Sequence, residues 1–276
     1  MGHRGPPINP WSGARGAFGG GARYHSGPPG GPPISSADPF LSLVIPAYNE
    51  ERRLPRTLPL AIEHLRGAPW TWEIRVVDDG SEDGTCDYVA SLATEEPRVV
   101  LQREPHRGKG GAVKAGMLGS RAAYRFLCDA DFSMPVQEVD RFLPPYLSDY
   151  DIAIGTREGP GAHRVGEPES RHLMGRVFNA LIQATLLPGL ADSQCGFKCF
   201  SGAAADAVFP HQTIDGFAFD VEVLFLARKQ GLSVVEVPIT WFFDDVSSVK
   251  PVRDTWRMLK EVARIRANHL AGRYAG

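Results

Sequence analysis

Residues 124–131 read Tyr124-Arg-Phe-Leu-Cys-Asp-Ala-Asp131, an apolar run that leads directly into two acids separated by one alanine. The apolar character of residues 124–128 is typical of a strand that is buried on both faces of a sheet. Other short apolar runs stand before and after it, and segments of helical character separate them. This alternation predicts an α/β fold with a mostly parallel central sheet flanked by helices.

The same reading gives a coarse list of elements. Strands are expected at residues 41–45, 73–77, 98–102, 124–128, 151–155, 196–200 and 232–239, and helices at residues 50–66, 84–94, 108–123, 174–187, 220–230 and 252–270. Polar clusters follow the first, second and fourth of these strands. Because ligands of open parallel sheets bind at the carboxyl ends of the strands, we expect these clusters to form one shared site.

Composition divides the chain into three parts. Residues 1–40 hold ten Gly and eight Pro, which predicts a disordered tail. Residues 41–248 are expected to form the globular domain. Residues 249–276 carry seven Lys or Arg against two Asp or Glu, which predicts a basic amphipathic helix packed on or beside the domain. Such a helix suits a membrane surface, and packing on the sheet with a solvated basic face is the alternative.

Several functional classes are disfavoured by composition. With 276 residues and 43% hydrophobic content the chain can form one substantial core, and a net charge of -2 gives no basis for a nucleic-acid partner. We find neither an apolar run of the roughly 20 residues that a membrane span needs nor a signal-peptide pattern. The four cysteines predict free thiols in a reducing cytoplasm. The expected location is therefore cytoplasmic, with peripheral contact at the inner face of the membrane.

The acidic pair Asp129 and Asp131 is the first candidate for chemistry. Two carboxylates just past a buried strand can share one Mg²⁺ or Mn²⁺, which prefer oxygen ligands. Such a cation neutralises a departing diphosphate. A turn with two solvated acids is the alternative for this motif alone.

Three further motifs lie at expected strand or helix ends. In Pro46-Ala-Tyr-Asn-Glu50 the aromatic Tyr48 can stack on a base, although a plain helix N-terminal turn fits as well. Asp78-Asp-Gly-Ser81 offers an acid for a ribose hydroxyl, or a turn. Arg107-Gly-Lys-Gly-Gly-Ala112 opens a helix and suits an anion, although it has neither P-loop nor G-x-G-x-x-G spacing.

Seven motifs in this order carry a resemblance to a known family. They are Pro46-Ala-Tyr-Asn-Glu50, Val77-Asp-Asp-Gly-Ser81, Gly108-Lys-Gly-Gly-Ala-Val113, Asp129-Ala-Asp131, Gly155-Thr-Arg157, Asp192-Ser-Gln-Cys-Gly-Phe-Lys198 and Phe219-Asp-Val-Glu222. From residue 41 to about residue 265 the chain resembles the family-2 glycosyltransferases. Within that family it is most similar to the enzymes that transfer a sugar to a polyprenyl (dolichyl-type) phosphate.

The resemblance implies an A-type (Rossmann-like) glycosyltransferase fold and inverting, metal-dependent transfer, with UDP-glucose as the expected donor and Mg²⁺ or Mn²⁺ as the cofactor. It implies that Asp129 and Asp131 hold the metal. The residues expected around the nucleotide sugar are Pro46, Tyr48, Glu50, Val77, Asp79, Lys109 and Ala130. The residues expected around the acceptor phosphate are Arg157, Arg171 and Lys198. Asp220 is the candidate base if the acceptor is a hydroxyl. Asp220 and Glu222 are expected either to shape the acceptor side or to make hydrogen bonds in the core from their helix.

The chain departs from this resemblance at two points. A metal-contacting Gln of related mannosyl enzymes is replaced by Ser133, and the Gly/Pro-rich tail takes the place of an N-terminal membrane anchor. A family-2 enzyme that acts on a non-lipid hydroxyl therefore stays open. A sugar-phosphate nucleotidyltransferase and an idle binding module are further alternatives, whereas a nicotinamide dehydrogenase is disfavoured because its glycine fingerprint is missing.

Overall fold

Nine strands run through the described part of this computed structural model, which comprises residues 38–243 and 251–274. They are β1 (Leu41–Ala47), β2 (Trp72–Asp78), β3 (Val99–Arg103), β4 (Tyr124–Cys128), β5 (Ile152–Thr156), β6 (His163–Val165), β7 (Phe197–Ser201), β8 (Val234–Pro238) and β9 (Thr240–Phe242). Seven of them form one sheet in the order β3-β2-β1-β4-β7-β5-β8, and β6 pairs with β9.

The predicted mostly parallel sheet is confirmed. Neighbouring strands of the large sheet run parallel everywhere except at β7, which is antiparallel to both β4 and β5. The carboxyl ends of β1, β2 and β4 consequently open at the same edge. The amino end of β7 also meets that edge, because β7 runs in the opposite direction.

Helices cover both faces of this sheet. They are α1 (Leu54–Arg66), α2 (Thr85–Glu95), α3 (Lys109–Gly119), α4 (Glu169–Thr185), α5 (Gly202–Val208), α6 (Phe219–Lys229) and α7 (Pro251–Leu270). Two 3-10 helices lie at Val136–Phe142 and Phe209–His211. Because both faces are covered, the strands need apolar residues on both sides, which explains why apolar residues predominate in strands such as β1 and β5.

The alternation of β1 shows how the two cores are divided. Leu41, Leu43 and Ile45 point into the core shared with α1, whereas Val44 points into the core under α3, α5 and α6. Packing also includes Phe40, which is buried and donates its N–H to the carbonyl of Thr71 at 3.0 Å. Ordered packing therefore begins just before the predicted domain start, and residues 1–37 of the predicted tail lie outside the described residues.

Most predicted elements are found, with shifted ends. The helix expected at 108–123 ends at Gly119, and the helix expected at 174–187 begins earlier, directly after Pro168. The short strands β6 and β9, helix α5 and both 3-10 helices were not predicted. Elements of three residues, such as β6 and β9, are too short to show a periodic pattern. Within the described ranges, none of the helices combines the length and apolar character that crossing a membrane requires.

Candidate functional site

The loops after β1 and β2 are tied together at the edge of the sheet. The Asn49 N–H donates to Ser81 Oγ at 2.9 Å, and the Glu82 N–H donates back to Asn49 Oδ1 at 2.9 Å. A further bond runs from the Glu50 N–H to Thr85 Oγ1 at 2.7 Å. The predicted convergence of these two motifs is thus present in the structure.

Tyr48 is 43% exposed and stacks on His106, with 4.4 Å between the ring centroids and 28° between the planes. His106 follows β3 and was not predicted, since an isolated histidine in a loop gives no sequence signal. Its Nδ1 lies 2.9 Å from the carbonyl oxygen of Asp79. The two stacked rings form an exposed aromatic surface beside the strand ends. The contact of Tyr48 with a nucleoside stays a prediction.

The Asp79 carboxylate is buried and is engaged within the protein. It accepts the N–H of Arg107 and of Gly108, each at 2.9 Å. This acid therefore fixes the loop that leads into α3. Its predicted nucleoside contact remains a prediction, and the structure adds this second role.

Val77 and Ala130 were expected near the nucleotide sugar, but their side chains are buried in the protein. Val77 is fully buried, and a Cβ placed on Gly116 of α3 would lie 2.6 Å from its Cγ2. Ala130 is also buried in the core. Neither side chain is therefore presented to a ligand in this structure, whereas Pro46 is half-buried in β1.

Asp129 and Asp131 follow β4 and lie close to two other charged side chains, Lys109 and Glu50. Lys109 Nζ lies 2.6 Å from Asp129 Oδ1, and Asp131 Oδ1 accepts the N–H of Ser133 at 2.9 Å. Burial, together with the nearby charge of Asp129, raises the pKa of Asp131. Burial also raises the pKa of Glu50, against the effect of Arg53, and the two aspartates add to it. The negative charges of Glu50, Asp129 and Asp131 thus repel one another, and a bound cation would reduce that repulsion.

Gly196 stands directly against the Asp129 carboxylate. A Cβ at this position would lie 2.1 Å from Asp129 Oδ2, so no side chain fits while the carboxylate keeps its place. Gly196 belongs to the 192–198 motif on which the resemblance rests. The position must therefore be glycine if the Asp129 carboxylate is to keep its place.

The anion predicted at the start of α3 stays a prediction, although the N–H groups of Gly110 and Gly111 there are engaged within the protein. The covering segment, residues 213–218, lies over the first turn of this helix, and the Asp215 carbonyl accepts the Gly110 N–H at 2.8 Å. These two N–H groups are thus already satisfied by the protein. Lys109 instead directs its ammonium to Asp129. Burial works against this charge, but Asp129, Asp220 and Asp131 outweigh it and raise the pKa of Lys109 above its ordinary value.

Arg157 lies at the end of β5 and makes a two-pronged ion pair with Asp192. Its Nε and one terminal nitrogen are 2.7 and 2.8 Å from the two carboxylate oxygens, and its backbone N–H donates to Oδ2 at 3.0 Å. Burial works to raise the pKa of Asp192, but Arg157 outweighs it and the pKa is lowered. The guanidinium also lies 5.4 Å from the ring centre of Trp241.

A cavity of about 150 Å³ opens beside this ion pair. Its lining is of mixed charge: Arg157, Arg164, Arg176 and His172 stand beside Glu158, Glu167 and Asp192, and Glu158 and Glu167 pair with Arg164. Arg164 and Arg176 were not predicted, since scattered surface arginines carry no distinguishing pattern. Arg171 lies in α4 by its backbone, and its side chain is outside the described residues. The predicted grouping of Arg157 and Arg171 on one phosphate therefore stays a prediction.

The Lys198 prediction is corrected by the structure. Its side chain is fully buried on the central strand β7, where Nζ contacts the Cys195 carbonyl and lies 2.5 Å from Asp220 Oδ1. It cannot face an acceptor phosphate without leaving this pair. Burial raises the pKa of Asp220, although Lys198 and Lys109 oppose the shift.

Of the two roles expected for Glu222, the structure shows the core hydrogen-bonding one. It is fully buried and accepts the N–H groups of Thr213 and Ile214 at 2.9 and 2.8 Å. This carboxylate anchors the start of the covering segment, as a hydrogen-bonding residue of the core.

Comparisons with known proteins agree with this arrangement. The family model described as glycosyl transferase family 2 matches residues 42–209. The dolichyl-phosphate beta-glucosyltransferase of Dictyostelium discoideum is 34% identical over 84% of this chain and 76% of its own length. That of Saccharomyces cerevisiae is 33% identical over 85% and 76%. Among solved structures, the glucosyl-3-phosphoglycerate synthase of Mycobacterium tuberculosis superposes with a TM-score of 0.61 at 17% identity, covering 87% of this chain and 81% of that one. The chain therefore belongs to glycosyl transferase family 2 and is a glycosyltransferase with the A-type fold of that family.

Proposed function

We propose that the protein transfers glucose from UDP-glucose to a polyprenyl (dolichyl-type) phosphate, with inversion at the anomeric carbon and with Mg²⁺ or Mn²⁺ as cofactor. The proposal is carried by one short segment, residues 192–196, which connects the acidic pair with the arginine-containing cavity. Gly196 contacts Asp129, while Asp192 and Gln194 of the same segment line the cavity beside Arg157. A donor diphosphate and an acceptor phosphate bound to these two parts would be neighbours.

The acidic pair fits a divalent cation. Asp129 Oδ1 is buried, and the Lys109 ammonium lies 2.6 Å from it. In the described ranges there is no cluster of three or more potential His, Cys, Asp or Glu ligands. Two carboxylates plus substrate phosphates are a usual shell for Mg²⁺. The solved glucosyl-3-phosphoglycerate synthase contains Mn²⁺ with UDP-glucose, which supports the same pairing here. The bound cation would neutralise the departing UDP.

The polar residues favour a phosphate acceptor over a hydroxyl. A phosphate is already an anion at neutral pH, so its attack needs placement and charge neutralisation more than a general base. Arg157 offers a planar fork for such placement, and in the free protein Asp192 occupies it. Asp220, the candidate base for a hydroxyl, is instead paired with Lys198 inside the protein. The names of the curated relatives support the same acceptor class.

Peripheral membrane contact through α7 is part of the proposal. Val262 and Ile265 pack this helix on the domain, so the packing alternative accounts for one of its faces. The opposite side leaves Trp256 64% exposed and Leu270 77% exposed, and the exposed Lys260 and Arg266 lie one turn from them along the helix. A basic helix with exposed apolar residues suits a membrane surface that carries anionic lipid.

Product analysis tests the proposal. The protein is incubated with UDP-[¹⁴C]glucose, Mn²⁺ and either dolichyl phosphate or dolichol, and the lipid is extracted into butanol. We expect label in the lipid only with dolichyl phosphate, in a form that β-glucosidase releases. Label transferred to dolichol, or resistance to β-glucosidase with sensitivity to α-glucosidase, would overturn the acceptor or the inversion.

A further inference from the structure

The covering segment determines where Lys109 stands. Besides the bond from Gly110 to the Asp215 carbonyl, the Asp215 carboxylate pairs with Arg107 at 3.0 Å. A Cβ on Gly108 would lie 2.6 Å from the Asp215 carbonyl oxygen, so the contact is close on both sides of Lys109. Any shift of residues 213–218 therefore moves the backbone that presents the Lys109 ammonium to Asp129.

Helix α7 in turn holds the covering segment at both ends. Glu261 Oε2 accepts the N–H of Ala218 at 3.0 Å. At the other end, Asn268 donates its side-chain N–H to Thr213 Oγ1 at 3.1 Å. The segment that covers the start of α3 is thus clamped by a helix from the C-terminal end of the chain.

Glu261 supplies a cap that α6 lacks in its own sequence. Helix α6 begins at Phe219, and Ala218 before it has no side chain that can accept a hydrogen bond. A carboxylate at a helix N-terminus satisfies an otherwise free N–H and interacts favourably with the helix dipole. Gly216 packs on the same group, since a Cβ there would lie 2.0 Å from Glu261 Oε1. One carboxylate therefore fixes the helix start and the covering segment together.

We propose that Glu261 is a positioning residue of the donor site and that α7 is a working part of that site. It acts through residues 213–218 on Lys109, which lies 2.6 Å from Asp129. The inference rests on the proposed function in taking Lys109 and Asp129 as the donor side. Loss of the carboxylate frees the Ala218 N–H, loosens the cover over α3 and lets Lys109 move away from Asp129.

The test compares Glu261→Ala with Glu261→Gln and with the matched control Ser201→Ala. Ser201 caps α5 by accepting the Ala204 N–H at 3.1 Å, so its loss removes a helix cap without touching the covering segment. Hydrogen–deuterium exchange is followed in peptides that cover residues 109–117, and KM is measured separately for UDP-glucose and for dolichyl phosphate. Both measurements are made well below the melting temperature of each variant.

For Glu261→Ala we expect faster exchange in residues 109–117 and a KM for UDP-glucose raised about fivefold, the scale of one lost hydrogen bond. The KM for dolichyl phosphate should stay unchanged. Glu261→Gln should restore most of the donor KM because its amide oxygen still accepts the Ala218 N–H. Ser201→Ala should lower the melting temperature without either effect.

A Glu261→Ala variant that loses thermal stability but keeps wild-type exchange at 109–117 and a wild-type donor KM would overturn the inference. If that variant does not fold, Gly216→Ala retains the carboxylate but displaces it, and the same two changes are expected. If the wild-type protein shows no transfer from any donor, the proposed function fails, whereas the exchange experiment still decides the role of Glu261.

Discussion

Replacing Gly196 by Ala is expected to disable transfer while the protein stays folded. The added Cβ would lie 2.1 Å from Asp129 Oδ2 and 2.6 Å from its Cγ. Ordinary contact at such a position begins at 3.4 Å, and 3.4 − 2.1 leaves 1.3 Å by which the carboxylate must retreat. Asp129 is only partly buried, so its side chain has room to rotate away.

The size of the effect follows from that displacement. A misplacement of about 1 Å at a catalytic group costs roughly 100-fold in rate, which corresponds to about 2.7 kcal/mol of transition-state stabilisation. We therefore expect kcat/KM for UDP-glucose to fall about 100-fold. The cost in folding free energy should stay within about 1–3 kcal/mol, the usual range for one added methyl group in a packed site.

The assay is steady-state UDP release with dolichyl phosphate and Mn²⁺, beside thermal unfolding of the same samples. Gly67→Ala is the matched control, because a Cβ at position 67 meets only the carbonyl of His64, at an ordinary 3.4 Å. A folded Gly196→Ala variant with kcat/KM within about threefold of wild type would refute the reasoning, since Asp129 would then tolerate displacement.

Three further predictions concern the charged groups of the site. Lys109→Met should tighten Mn²⁺ binding to the donor-free protein about fivefold, the worth of a partly exposed ion pair that no longer competes for Asp129; electron paramagnetic resonance titration checks this, and weaker binding would count against it. Arg157→Lys should raise the KM for dolichyl phosphate about tenfold with the donor KM unchanged, because an ammonium cannot form the planar fork; equal effects on both KM values would argue against an acceptor role. Lys198→Met should cost about 3–5 kcal/mol of stability in urea unfolding by leaving Asp220 charged and buried, and adding Asp220→Leu should recover much of it; no recovery would contradict the pairing.

The sequence was sufficient for the sheet and for the edge where polar residues gather. Apolar runs such as residues 41–45 and 124–128 show which strands are buried, and the acids after them mark strand ends. The antiparallel direction of β7 could not be predicted, because a strand buried on both faces reads the same in either direction. The seven motifs identified the family, because their order is specific even where each alone is not.

Side-chain partners were the part that sequence could not supply. Lys198 looked available to a phosphate, yet its place on a central strand buries it against Asp220. The glycines around Lys109 suggested an anion at a helix start, whereas two N–H groups there already bond to the Asp215 carbonyl. Both outcomes depend on contacts between segments about 20 to 100 residues apart, and such contacts cannot be predicted from the local sequence pattern.

The most direct test of the central claim is UDP release from UDP-glucose, measured with and without dolichyl phosphate and with and without Mn²⁺. The account predicts release only when lipid phosphate and metal are both present, and its loss in Asp131→Asn. Release that is equally fast without the lipid phosphate, or undiminished in Asp131→Asn, would contradict it.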